Sequence, residues 1–132
     1  MRATPPIAPP MSRASRHILA LCALALAPLS ACETGRPGVT NTLGVISVRL
    51  DADPEHVTRA ARETLEELAL SDVEAHSTHL DGLVRGRTAL GDAVKIEIEG
   101  VPGGASEVSI RCGTLGDEEL SLQILDAIRA RL

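Results

Sequence analysis

Residues 93–112, AVKIEIEGVPGGASEVSIRC, decide the fold. Val94, Ile96 and Ile98 alternate with Lys95, Glu97 and Glu99; Val108, Ile110 and Cys112 alternate with Ser109 and Arg111. A period of two puts successive side chains on opposite faces of a strand, so each half reads as a strand with one buried and one wet face. Pro102-Gly103-Gly104 supplies the turn between them. Two such strands in succession imply an antiparallel sheet covered on one side only.

The same pattern recurs outward. From Leu43 to Leu50, Ile46, Val48 and Leu50 alternate with Ser47 and Arg49, while Val73 to Thr78 and Leu83 to Thr88 read as two more strands. Asp81-Gly82 and Gly91-Asp92 are their expected turns. A helix is expected to start with Asp53 as N-cap and Pro54 at its first position, where the missing N–H costs nothing. Val57, Ala60, Ala61, Leu65 and Leu68 share one face of it, and Arg59/Glu63 and Arg62/Glu66 are spaced as i,i+4 pairs before an end near Leu70. A second helix is expected from about Asp117 to Arg131. Its acids Asp117, Glu118 and Glu119 stand at the start and Arg129 and Arg131 at the end, as the helix dipole favours. Its buried stripe is Leu120, Ile124, Ile128 and Leu132. The order β-α-β-β-β-β-α predicts an α+β, two-layer sandwich over residues 42–132, with both helices on one face of an antiparallel sheet.

The chain has 132 residues and no Phe, Trp or Tyr, so Val, Ile, Leu and Ala must build one core. Without ring faces there are no stacking platforms for single-stranded nucleic acid and no aromatic cages for cations. Charge is distributed unevenly. Arg2, Arg13 and Arg16 precede residue 32 and all 18 acidic residues follow it, which leaves ten basic residues and a net −8 after Cys32. An acidic body of this kind repels phosphate backbones, so nucleic acid is not an expected partner.

Ahead of the domain, Arg13, Arg16 and His17 come before an apolar run from Ile18 to Leu29 interrupted only by Pro28. A basic start, an apolar stretch and a small-residue exit make a secretory signal, and these twelve residues fall short of the ~20 that span a hydrocarbon core. Residues 1–31 are therefore expected to be cleaved; Met11 is an alternative start. The run ends in Leu29-Ser30-Ala31-Cys32, which resembles the lipobox of bacterial lipoproteins. The resemblance implies that the freed amine of Cys32 becomes the mature N-terminus and that its thiol carries a diacylglyceryl thioether with two fatty-acyl (palmitate-type) chains, which anchors the protein to the membrane of the cell envelope. Glu33, rather than the Asp that signals inner-membrane retention in enteric bacteria, implies by the same resemblance an outer-membrane location facing the periplasm. Residues 32–41, Gly-, Pro- and Thr-rich beyond the cysteine, read as lipidated Cys and flexible tether. Cys22 would leave with the signal, so Cys112 stands alone in the domain without a disulfide partner.

The junction Ile110-Arg111-Cys112-Gly113-Thr114-Leu115-Gly116-Asp117-Glu118-Glu119-Leu120-Ser121, with Leu50-Asp51-Ala52-Asp53 before the first helix, resembles a family of small bacterial lipoproteins numbered 3568 among domains of unknown function. The resemblance covers about residues 43–132. An aromatic residue is common in that family where this chain has Leu115. It implies fold and location and assigns no activity. The element order is also similar to the helix-grip domains of some outer-membrane assembly lipoproteins, at the level of fold alone.

The residues suggest little catalytic chemistry. Gly113 to Asp117 leads from strand to helix as a phosphate loop would, but lacks the Lys-Ser/Thr pair and opens a helix with three acids, so it reads as a tight capped turn. His76 and His79, near Glu74 and Asp81, are spaced to opposite strand faces and read as a surface pair rather than metal ligands. Cys112 shares the parity of Val108 and Ile110 and is expected to be a buried, inert thiol. No cofactor is expected. The wet sheet face remains, with Arg85, Arg87, Glu97 and Glu99 as the candidates for partner contact. The expected role is a non-enzymatic, membrane-anchored accessory or scaffold module that binds other envelope proteins. The alternative is a module for a small apolar ligand or lipid held between helices and sheet.

Overall fold

A computed structural model describes residues 36–132. Six strands form one sheet in the order β1-β2-β6-β5-β4-β3, with every neighbouring pair antiparallel. The strands are β1 (Val39–Thr42), β2 (Val45–Leu50), β3 (Ser71–Ser77), β4 (Asp81–Arg87), β5 (Ala93–Val101) and β6 (Ala105–Cys112). Helix α1 (Pro54–Glu67) carries the chain from β2 to the far edge of the sheet, and α2 (Glu118–Arg129) follows β6 back across the same face. This is the α+β two-layer sandwich that the alternation predicts. The segment expected to be a signal peptide, Cys32 and Glu33 lie outside the described residues.

The interior rests on the predicted parity. Ile46, Val84, Val94, Ile96, Val108, Ile110 and Cys112 from the sheet meet Val57, Ala61 and Leu65 of α1 and Ile124, Leu125 and Ile128 of α2, all essentially without solvent exposure. Both helices are capped as expected: Asp53 accepts from the His56 amide at 3.0 Å and Asp117 from the Leu120 amide at 3.0 Å. The His56 amide holds the Asp53 carboxyl below its ordinary range. Arg131 joins the helices by pairing with Glu67 and, at 4.0 Å, with Glu63.

Four local features depart from the sequence reading. The stretch read as tether through Asn41 contributes β1, which pairs with β2 across a two-residue turn, Leu43-Gly44. Both turn residues have positive φ (52° and 78°), as a tight hairpin of the primed type requires, and Asn41 accepts from the Gly44 amide. The turn expected at Asp81-Gly82 lies instead at Thr78–Leu80, where the Thr78 hydroxyl oxygen accepts from the amides of Leu80 and Asp81 at 3.1 Å. Gly82 belongs to β4, and the physical reason is the close passage of α1: a Cβ there would strike the Thr58 hydroxyl. Helix α1 stops at Glu67, and Ala69 (φ 56°) closes it with Leu70 donating to Leu65 O and Ala69 to Glu66 O. In α2 the buried stripe is Ser121, Ile124, Leu125 and Ile128; Leu120 is half-buried and Leu132, beyond the helix end, is 43 % exposed.

Candidate functional site

The sheet face away from the helices is uncovered, and the strand register arranges its side chains in rows. One row runs Glu74, Arg85, Lys95, Arg111 across β3, β4, β5 and β6. Another runs Asp81, Glu99, Glu107, Arg49 across β4, β5, β6 and β2. Between them lie His76, Leu83, Glu97, Ser109 and Ser47, the last two linked hydroxyl to hydroxyl at 3.0 Å. The face is thus polar in the electrical sense: three cations sit side by side toward one end and three carboxylates toward the other.

Directly opposed like charges destabilise a sheet, whereas mixed ladders stabilise it by a few tenths of a kcal/mol up to about 1 kcal/mol per pair. Here each row has one opposed pair of unlike sign, Glu74/Arg85 and Glu107/Arg49, and two of like sign. Among the described residues, the ion pairs on this face are Lys95 with Glu97 at 2.6 Å, along one strand, and Arg87 with Asp72 at 3.9 Å. Arg49 and Arg111 donate instead to the backbone carbonyls of Pro102 and Thr114. The four residues named from the sequence all lie on this exposed face: Arg85 in the cationic row, Glu99 in the acidic row, Glu97 between them and Arg87 at the strand end. Alternation alone does not show the segregation, because it depends on register. Lys95, Arg111, Asp81 and Glu107 complete the two rows.

The other sequence features fall elsewhere. His76 is exposed on β3, while His79 lies in the β3–β4 turn and pairs with Glu55 at 3.0 Å, so the two are not brought together. Among the described residues no group of three or more His, Cys, Asp or Glu side chains is placed to hold a metal ion. The β6–α2 junction is a tight capped turn, with the Asp117 amide donating to Cys112 O at 2.7 Å. Cys112 is buried, and desolvation pushes its thiol above the ordinary cysteine range, partly offset by a hydrogen bond with Ser121 and reinforced by the nearby Asp117 carboxylate. The native protein is therefore expected to react with a thiol reagent at least tenfold more slowly than the denatured protein at the same pH, because access and thiolate fraction are both reduced. Fast stoichiometric modification of Cys112 in the native state would contradict this burial.

The space between helices and sheet is filled by the core. An apolar opening of about 770 Å³ lies instead at one end of the sandwich, lined in part by Leu68, Leu70, Leu90, Leu115 and Leu120. It sits where the α1–β3, β4–β5 and β6–α2 connections come together.

No curated protein matches the chain. A family model described as a protein of unknown function, DUF3568, matches residues 15–131, nearly the whole chain and all of both layers; the chain belongs to that family.

Proposed function

We propose that the protein is a lipid-anchored envelope lipoprotein, held by Cys32 at the outer membrane and facing the periplasm, whose domain is a non-enzymatic module that docks other envelope proteins on the uncovered sheet face. The observation that carries this reading is the segregation of charge on that face. Opposed like charges cost stability in the free domain, and a partner with the complementary pattern offsets that cost on binding. A bipolar surface also fixes orientation, since a partner rotated by half a turn meets like charge.

The test is reversal of the cationic end. Arg85→Glu with Arg87→Glu disturbs exposed side chains, one long ion pair, the exposed Arg87 hydrogen bond to the Gly91 carbonyl and the Glu74/Arg85 opposition, so stability should fall by no more than about 1 kcal/mol. Association should weaken by tenfold or more, because each like-charge contact across an interface costs on the order of several kcal/mol. Thermal unfolding of the purified variant and recovery of partners crosslinked in living cells measure the two effects separately. Unchanged unfolding with lost partners supports the docking face. Unchanged partners remove it.

A further inference from the structure

The loop end of the sandwich carries apolar side chains that do nothing for the fold. Leu43, Leu90 and Leu115 are each 91 % exposed, and they occupy three different connections, β1–β2, β4–β5 and β6–α2. The β1–β2 and β6–α2 connections touch through Gly44 and Gly116, which sets Leu43 and Leu115 side by side. Leu43 also adopts positive φ, a conformation that suits Gly or Asn at a hairpin turn far better than leucine. The opposite end differs: it is acidic, with Asp51, Asp53, Asp81, Glu99 and Glu107, and carries Leu80 as its exposed large apolar side chain.

We propose that Leu43, Leu90 and Leu115 form a membrane-contacting end, inserted at the surface of the bilayer. The inference rests on the lipid-anchor reading. Scattered exposed leucines are ordinary, but three clustered at loop tips mark a surface that leaves water elsewhere. A bilayer is the apolar phase that the anchor keeps within reach. Arg36 is already held on the domain, by its ion pair with Asp126 and by the Val39 amide donating to its carbonyl, so the free reach from Cys32 to Arg36 is about 14 Å, comparable to the four-residue β1 that separates this point from Leu43 and spans about 14 Å. Fully extended, these residues cover the length of β1 and let the loop tips touch the layer that holds Cys32.

The charges nearby decide which lipid is needed. Arg85, Arg87, Lys95 and Arg111 lie toward this end of the open face, but Asp72, Glu74, Asp92, Asp117, Glu118 and Glu119 lie there as well. The signs offset each other, so the contact is apolar and requires no anionic head group.

The test uses the lipidated mature protein in vesicles, with Leu43→Cys, Leu90→Cys, Leu115→Cys and, at the opposite end, Leu80→Cys, each labelled with a polarity-sensitive dye. Blue-shifted emission is expected at the first three positions and not at Leu80, equally in phosphatidylcholine and in phosphatidylethanolamine–phosphatidylglycerol vesicles, and unaffected by roughly 0.5 M salt, where the screening length is only about 4 Å. Flotation of the same samples reads the anchor independently. Protein that floats while all four dyes report water overturns the membrane contact and leaves the anchor standing; protein that neither floats nor shows the three shifts removes the anchor and the contact with it. A shift at Leu80 in place of the other three, a shift confined to anionic vesicles and abolished by salt, or a shift produced only by envelope protein extract each overturns the proposal.

Discussion

Replacing Gly116 by alanine is expected to destabilise the domain by on the order of 3–4 kcal/mol, comparable to emptying a core position and a large part of the ~5–15 kcal/mol that holds a domain of this size. Two effects add. Gly116 has φ 78°, a region that costs an L side chain about 1–2 kcal/mol. A Cβ there also runs into the Cα and carbonyl of Gly44, which are backbone atoms and cannot rotate aside. Gly44→Ala meets the same contact from the other side, against Gly116 Cα and Leu115 O, and is expected to cost as much. Gly113→Ala separates the two effects, because φ is 71° but the nearest neighbour of its Cβ is Asp92 at 3.9 Å. It should lose only about 1–2 kcal/mol. Denaturant unfolding of the three purified variants gives the comparison. A Gly116→Ala loss no larger than that of Gly113→Ala would show that the two connections are not in backbone contact.

That contact also links fold to surface. The turn before β2 and the turn before α2 are remote in sequence, and their touching glycines present Leu43 and Leu115 together. A variant that forces them apart is expected to disperse the apolar end even where the sheet survives.

The parts of this molecule legible in the sequence are those fixed by local rules. Val94 to Glu99 and Val108 to Cys112 show their faces by alternation, and Asp53-Pro54 and Asp117 mark helix starts by the chemistry of orphan amides. What was not legible depends on contacts between distant residues. β1 is short and reads Val-Thr-Asn-Thr, with the unusual turn Leu-Gly in place of Asn-Gly, so neither hydrophobicity nor turn chemistry announces it. Gly82 has the sequence signature of a turn and stands in a strand because α1 packs onto it. The charge rows require register, which alternation leaves free: Arg85, Lys95 and Arg111 become neighbours only when β4, β5 and β6 are aligned. Leu90 and Leu115 are each an ordinary loop leucine until the fold gathers them.

The lipid anchor is the claim on which location, orientation and partners all depend, and its failure would be complete rather than graded. Cys32→Ser is expected to abolish fatty-acid labelling of the protein in cells and to leave an unprocessed precursor, because the modifying step needs the thiol and cleavage follows modification in proteins with this motif. Cys22→Ser should leave labelling unchanged, since Cys22 lies ten residues before Cys32, inside the segment that the proposed processing would remove. The consequence for membrane attachment follows from chain length. Each buried CH2 contributes roughly 0.8 kcal/mol, so one acyl chain holds a protein reversibly and two or more hold it for practical purposes permanently. The twelve apolar residues from Ile18 to Leu29 fall well below the ~20 of a stable span, so the precursor of Cys32→Ser should be extracted by alkaline carbonate far more readily than the wild type. Metabolic labelling with a radioactive fatty acid, read together with the size of the product and its partition after carbonate, checks each step. Equal labelling of wild type and Cys32→Ser, or none in either, would place the protein elsewhere and take the membrane-contacting end with it, while the charge-segregated sheet face would still have its own test.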